Sequence, residues 1–401
     1  YLAYRVIGQD IVAGQDVTFH FPHFWNICGG PWPCDRHVDA LTRQNLIDLL
    51  GLTVTPGAIG HISIGGWQDN TDYPVRGLAQ EPIVIVPGIM GSRLNRVSDG
   101  EEVWPDVAKM LLSGSDDYLD ELKLNDKGNQ FIDKQMEAGD IIDSAGGTTF
   151  YAHLLNAFTD AGYSFGTDLF VVPYDWRFHI GTSSAQFLAP IIQTAIAKSP
   201  TGKINIVAHS MGGLLLKEYL AEATSTNFIN KLILVGVPEL GSPKSFKILN
   251  YGDRIGVPLG FLNESKVRDI SQNMPAVYEL LPSRTYFTAT GGGNYVVDFR
   301  NVIDSITSYL DYDRTKLVMI ENPSDRRNSS LLDLADTFHQ SLDTVSFPAQ
   351  NLYSVIGCQN PATIGTFVLR QDNEVDILAG DGDGTAPLVS AYRPDRNSTN
   401  Y

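Results

Sequence analysis

A serine set between small residues and followed at once by a helix-forming run is the side chain in this chain best placed to act as a nucleophile. It is Ser210, inside Ile204 to Leu216 (Ile-Asn-Ile-Val-Ala-His-Ser-Met-Gly-Gly-Leu-Leu-Leu). A β-branched run that stops at such a serine reads as a strand ending at Val207, a sharp turn holding Ser210, and a helix starting near Met211. That helix continues through Lys217, Glu218 and Tyr219. Ala208 and Gly212 keep the turn free of side-chain clashes. A hydroxyl lifted clear of the sheet edge can attack a carbonyl carbon, and the helix N-terminus behind it offers free N–H groups where an oxyanion would form. The same pattern also describes a serine in an ordinary strand-to-helix turn. Its companions decide between the two.

A nucleophilic serine needs a second oxyanion donor, an orienting carboxylate and a base. Pro82 to Val86 reads as a short buried strand that runs into Pro87-Gly-Ile-Met-Gly-Ser92, a bend whose glycines let the backbone approach a ligand. Where a strand, a serine turn and a helix make a hydrolase site, the N–H after the serine works with one from the loop after such an early strand. Here these are Met211 and Ile89. The carboxylate is expected after the last strands, in Asp381-Gly-Asp-Gly-Thr-Ala386, with Asp383 as the orienting acid. Asp-Gly repeats also ligate calcium, but such loops run on to a terminal Glu that is lacking here. No metal and no cofactor is expected.

The base is the exception. All eight histidines (20, 23, 37, 61, 153, 179, 209 and 339) precede Asp383. The chain order serine, acid, histidine is therefore not completed between Tyr1 and Tyr401, and the base is expected beyond Tyr401. His209 reads as a structural residue on the buried end of its strand. His339 lies in Leu331 to Leu342, whose apolar spacing reads as an amphipathic helix, and is an alternative base.

Positioning these groups takes a parallel sheet. Besides Pro82–Val86, buried strands are expected at Leu169–Pro173, Lys203–Val207, Lys231–Val237 and Asn351–Gly357, with helical patterns at Thr148–Ala161, Ser184–Lys198 and Gly213–Thr224. Alternating strands and helices predict an α/β fold, a mostly parallel central sheet with helices on both faces. Tyr251–Phe287 and Asn301–Leu310 are apolar without strand periodicity and fall between core strands, so a cap insertion is expected over about 243–310. Its Ile255, Val257, Leu259, Phe261 and Leu262 either meet an apolar substrate or form the cap's own core. Residues 1–80 read as a partly β N-terminal extension of unassigned purpose, with strand-like Asp16–Phe21 and Ile59–Ile64 and a helical Val38–Leu50; residues 81–401 form the catalytic-type domain.

Composition narrows the partners. At 401 residues and 43% hydrophobic content the chain can bury one large core or two modest ones. A net charge of −17 argues against nucleic acid and against electrostatic docking to anionic lipid, both of which need a Lys/Arg excess. No run approaches the roughly 18 apolar residues of a membrane span. The chain begins with Tyr and reads as a processed or partial form. Cys28 and Cys34 flank a turn-rich Gly-Gly-Pro-Trp-Pro and are expected to pair, with Cys358 left over, which favours an extracytoplasmic compartment. Sequons at Asn263, Asn328 and Asn397 arise by chance often enough to add nothing.

Five ordered blocks carry a family resemblance: Val86-Pro-Gly-Ile-Met-Gly-Ser92, Pro173-Tyr-Asp-Trp-Arg177, Ala208-His-Ser-Met-Gly212, Gly236-Val-Pro-Glu-Leu-Gly-Ser242 and Gly382-Asp-Gly-Thr385. Together, over about residues 80–393, the chain resembles the lecithin:cholesterol acyltransferase and lysosomal phospholipase family of α/β-hydrolases. The resemblance implies an α/β-hydrolase fold with a cap or lid. It implies a serine-dependent lipid acyl hydrolase or acyltransferase that works through an acyl-enzyme on Ser210, with Asp383 as triad acid and Ile89 and Met211 as oxyanion donors. The substrate it implies is a lipid ester at a membrane or lipid-particle surface. Val103, Trp104 and Pro105 resemble the segment leading to the lid and membrane-contact region. Trp176, with Tyr174, Asp175 and Arg177, is either a wall of the acyl pocket or part of an aromatic and ion-pair plug at the sheet's carboxyl end. Two departures stand out, the missing histidine and the unmatched first 80 residues. They leave open a second class, a catalytically silent module of the same fold serving lipid binding or adhesion.

Overall fold

The computed structural model describes residues 4–7, 63–64, 67–68, 80–112, 115–254, 256–257, 260–289, 306–321, 328–348, 351–358, 363–370 and 374–392. The Cys28–Cys34 pair, the segments Asp16–Phe21 and Val38–Leu50, most of Ile59–Ile64, cap positions Ile255 and Leu259, and the Asn397 sequon lie outside the described residues.

Short, wholly apolar runs build the centre. The Ile-Val-Ile-Val of β2 (Ile83–Val86) is buried along its whole length, and β4 (Ile204–His209) is buried up to its last residue. Strands covered on both faces belong in a parallel sheet. With β1 (Tyr4–Ile7), β3 (Leu169–Val171), β5 (Ile229–Val235) and β6 (Leu352–Gly357) they form one six-stranded sheet in the order β1-β6-β5-β4-β2-β3. Strands β2 to β6 run parallel, and β1 pairs antiparallel with the outer edge of β6. The mixed α/β architecture and its five parallel strands agree with expectation, and strand ends differ by one or two residues. Strand β4 runs two residues past Val207, because its ladder with β5 extends to His209 opposite Val235.

Register is what gathers the site. Val86 pairs with Ala208, Ala208 with Leu234, and Leu234 with Ser354, so the loops leaving β2, β4, β5 and β6 emerge on one edge. In doubly wound sheets this carboxyl edge is where ligands bind. Behind it, α3 (Met211–Glu222) packs on β4 and β2, and α2 (Ala189–Lys198) packs on β2 and β3. Helix α3 is buried from Met211 to Lys217, a helix with no free face.

Two excursions leave the sheet. Ser92–Arg96, Glu102–Trp104 and Met136–Ile141 make a three-stranded antiparallel sheet directly after the loop that follows β2. Ile306–Tyr309, Thr363–Arg370 and Val375–Gly380 make a second, just before Asp383. Ile306–Tyr309 was expected in the cap without strand character. It is a strand because its partner, Thr363–Arg370, lies far along the chain, and pairing, not local periodicity, makes a two-sided short run extended.

A buried charge cluster lies against the back of α3. The His179 ring pairs through Nδ1 with Glu279 Oε1, and Glu279 Oε2 accepts the N–H of Ile180 at 2.7 Å. Burial pulls the His179 pKa down, but the Glu279 carboxylate and Glu218 on α3 outweigh it and hold it above the usual value. Burial likewise raises Glu279 against the opposing pull of His179. Both groups hold protons more tightly folded than unfolded. Each therefore contributes stability that is complete below its unfolded pKa and drains away as pH rises through the folded one. The destabilisation caused by Glu279→Gln, read as a drop in thermal midpoint, is expected to be larger near pH 5 than near pH 8. Equal drops at both would mean that the pair does not titrate in that window.

Candidate active site

Ser210 sits between β4 and α3 with φ 51° and ψ −127°, a region non-glycine residues avoid. Such a conformation costs on the order of 1–3 kcal/mol and persists only where the surroundings over-determine it. They do so here: Ser210 N–H donates to Val235 O at 2.9 Å, and its carbonyl accepts from Gly213 at 2.9 Å. Gly212 makes the turn possible. A Cβ there would stand 2.5 Å from Pro87 O and 2.6 Å from Val86 O, and neither backbone can retreat without moving β2. Gly212→Ala is expected to displace the turn by a few tenths of an ångström or more. The measurable result is a loss of about 10²-fold in turnover and a destabilisation of about 1–3 kcal/mol, by assay and denaturant melt.

The loop after β2 leans on the serine: a Cβ built on Gly88 would lie 2.9 Å from Ser210 Cβ. Most of the polar backbone groups of this loop are held. Tyr174 Oη donates to Pro87 O at 2.9 Å, Gly91 N–H to Gly88 O at 3.0 Å, Trp104 Nε1 to Met90 O at 3.1 Å, Ile142 N–H to Gly91 O at 2.9 Å, and Trp176 Nε1 to Ser92 O at 3.1 Å. The N–H of Gly88 donates to Tyr151 Oη at 3.1 Å, and Ser92 Oγ accepts from Tyr174 N at 3.1 Å. Ile89, in the middle, enters none of these bonds. Met211 N–H is the first of α3 and belongs to the helix's orphan donors. Met211 follows Ser210 directly, and Ile89 follows Gly88, the residue of the loop that leans on the serine.

Trp104 and Trp176 meet edge to face at 5.7 Å between ring centres, and each is only 3% exposed. Both indole N–H groups are spent on carbonyls of the loop, Trp104 on Met90 and Trp176 on Ser92. Asp175 and Arg177 beside them are buried, joined by two contacts of 2.9 and 2.6 Å, and Arg177 Nη1 also donates to Leu122 O at 3.0 Å. The guanidinium lies over the Phe131 ring at 5.1 Å. This geometry is a plug of aromatic rings around an ion pair.

Asp383 arrives from the far end of the chain. A Cβ on Gly357, the last residue of β6, would stand 2.4 Å from Asp383 Cβ, and one on Gly236, just past β5, would stand 2.8 Å from Asp383 Oδ2. Gly236, at φ 54°, therefore serves both turn and carboxylate. Val235, whose carbonyl holds Ser210, is its immediate neighbour, so Ser210 and Asp383 share one edge of the sheet. Asp383 Oδ1 accepts from Thr385 and Ala386 N–H, both at 2.7 Å. Burial raises the Asp383 pKa, opposed by these two N–H groups and by Lys244. The acid's loop is pinned in turn: Ser242 Oγ donates to Thr385 O at 2.5 Å, and Ser390 Oγ donates to Gly241 O at 2.7 Å.

Among the described residues no histidine is hydrogen-bonded to Ser210 Oγ or to Asp383. His339 is buried on α4 (Ser329–Leu342), where Asp343 and Lys217 are its charged neighbours. Its surroundings are the back of α3, not the serine edge. His209 ends β4 partly exposed, with Nδ1 2.6 Å from Tyr151 Oη. Tyr151 is the site residue that sequence reasoning missed; Tyr174 was singled out, but the bond of its hydroxyl to the Pro87 carbonyl was not foreseen. The two reach the loop across separations of 63 and 87 residues, and no local pattern announces such contacts. Among the described residues no group of three or more His, Cys, Asp or Glu side chains is disposed to hold a metal ion.

A parallel sheet with a strained serine turn, a braced loop and a carboxylate on one edge defines an α/β-hydrolase fold. Residues 133–324 match the family model described as "Lecithin:cholesterol acyltransferase". The chain is 25% identical over 361 residues to a Bos taurus protein named "Lysosomal phospholipase A and acyltransferase", covering 78% of this chain and 82% of that one. It is 24% identical over 314 residues to a Mus musculus "Phosphatidylcholine-sterol acyltransferase", with 67% of each covered. A solved structure titled "The crystal structure of Tle4-Tli4 complex" aligns with a TM-score of 0.47 at 16% identity, covering 78% of this chain and 89% of that one. The chain is thus similar to the lecithin:cholesterol acyltransferases and lysosomal phospholipases that its five sequence blocks resemble. Ser210 falls inside the matched residues; Ile89 and Asp383 flank them.

Proposed function

We propose that this protein is a lipid acyl hydrolase or acyltransferase that forms an acyl-enzyme on Ser210. The observation that carries the reading is the shared edge: Ser210 in its strained turn with the Gly88 loop close against it, and Asp383 Oδ2 against Gly236. With an imidazole oriented by Asp383 as base, Ser210 Oγ adds to an ester carbonyl and the imidazole takes its proton. The two N–H groups stabilise the tetrahedral oxyanion, each worth about 3 kcal/mol of barrier. Collapse expels the alcohol, which recovers the proton. Water or a lipid alcohol then attacks the acyl-serine, and the acceptor determines hydrolysis or transfer. Trp104 and Trp176 serve this site as braces of the oxyanion loop.

The substrate class follows from the relatives, two of which are named for phospholipase A and for phosphatidylcholine-sterol acyl transfer. With a net charge of −17, binding to a lipid surface would draw on apolar contact more than on attraction to anionic headgroups. Among the described residues no helix is long and apolar enough to cross a membrane. An extracytoplasmic location fits a relative named lysosomal. The test is to incubate the protein with phosphatidylcholine vesicles that also hold a long-chain alcohol and to measure released fatty acid and new acyl ester. Both are expected with Ser210 and neither with Ser210→Ala; products that survive the substitution would end the proposal.

A further inference from the structure

Past the last rung between β2 and β4, Val86 opposite Ala208, the two strands share no further ladder pair. One side chain spans the gap. Tyr151, just before α1 (Ala152–Asp160), is 3% exposed, and its hydroxyl accepts the N–H of Gly88 at 3.1 Å while meeting His209 Nδ1 at 2.6 Å. Gly88 immediately precedes Ile89, and His209 immediately precedes Ser210. We infer that Tyr151 and His209 form a lock that sets the position of the Ile89 N–H relative to Ser210, and that both are positioning residues for acyl transfer.

Proton counting gives the lock a direction. Burial pushes the Tyr151 phenol well above its ordinary range, so it keeps its single proton. Burial holds His209 down at about 4, so near neutral pH the ring carries one proton. The arrangement that serves all three atoms runs from Gly88 N–H to Tyr151 oxygen, and from Tyr151 O–H to His209 Nδ1. The imidazole proton is then on Nε2. The rings meet edge to face at 5.8 Å, which fixes the imidazole plane in which Nδ1 accepts. Without the hydroxyl, the Gly88 N–H and His209 Nδ1 both lose this partner, and the loop keeps its van der Waals seat on Ser210 but loses this hydrogen-bonded tie to the nucleophile strand. Nothing else in the bracing set joins these two segments: Tyr174, Trp104 and Trp176 tie the loop to other parts of the molecule.

The kinetic consequence rests on the proposed acyl-transfer reading, and the tautomer does not, so the two fail separately. In the intact protein, ¹⁵N resonances of His209 are expected to show a proton on Nε2, a hydrogen-bonded Nδ1, and no titration between about pH 5 and 8. A proton on Nδ1, or titration near the usual histidine value, overturns the lock whether or not the protein turns over an ester. Given Ser210-dependent turnover, Tyr151→Phe is expected to lower kcat by about 10- to 100-fold with KM changed less than about threefold. His209→Phe should match it, and the double variant should lose no more than either alone. His209→Asn, whose Oδ1 can take the place of Nδ1, should recover most of that loss. Simple packing predicts the reverse, with the ring-conserving His209→Phe tolerated and His209→Asn damaging, and that pattern overturns the proposal. Additive losses in the double variant overturn it too.

Discussion

On the proposed acyl-enzyme reading, Ser210→Ala is expected to reduce ester turnover by roughly six orders of magnitude, while leaving the fold intact. The reason lies in what the substitution does not touch. The turn is held by backbone bonds of Ser210 to Val235 and Gly213 and by the close seat of Gly212 on Pro87, none of which involves Oγ. Ala also occupies a strained φ of 51° no more comfortably than Ser, so stability should change by a few tenths of a kcal/mol. A fluorophosphonate that labels Ser210 stoichiometrically should leave the variant unlabelled, with circular dichroism and melting unchanged. Loss of labelling together with loss of fold would leave the residual rate uninterpretable as chemistry; labelling retained in the variant would place the nucleophile elsewhere. Residual turnover, read as the surviving rate above background, would report what substrate binding and the proposed donors Ile89 and Met211 supply without the nucleophile.

Asp175→Ala should have the largest effect on stability. It leaves the Arg177 guanidinium, which has no exposed surface, with one carbonyl and the rings of Phe131 and Phe178 for company. Removing one partner of a buried pair typically costs about 3–5 kcal/mol, because the remaining charge has no solvent to return to. The plug also carries Tyr174 and Trp176, two of the donors that hold the Pro87 to Ser92 loop. Activity should therefore fail at a lower denaturant concentration than global unfolding does in the variant. Replacing both members together, Asp175→Leu with Arg177→Met, should restore much of the lost stability, since an apolar pair needs no desolvation. A denaturant midpoint for Asp175→Ala equal to wild type would show that the pair contributes nothing net.

How legible the site was depends on how far apart in sequence its parts lie. The serine turn is local: four apolar residues among the six before Ser210 and two glycines after it dictate strand, turn and helix within a dozen positions. Asp175 and Arg177 are two apart and were readable as a pair. Asp383 was reachable because chain order and a Gly-flanked acid after the last strands narrow the choice, although its burial and its cage of Thr385 and Ala386 N–H groups were not. Ile306–Tyr309 was misread because a strand whose partner is some 60 residues away carries no mark of that pairing. Tyr151 gave no signal at all. One tyrosine among 17 becomes a bridge only when a sheet register and a helix start bring it to Gly88 and His209.

The chain's own residues, read alone, determine the parallel α/β class and the serine at a strand-to-helix turn, and they nominate the acid and donor residues proposed beside it, since each rests on propensity, spacing or order along a short stretch. Only the folded molecule decides that the serine and the acid share an edge, that the tryptophans brace the loop, and that a buried phenol ties it to the nucleophile strand. Those facts depend on contacts between segments far apart in sequence. Their energies come from burial and from hydrogen bonds closed across the sheet, and neither exists until the register is set.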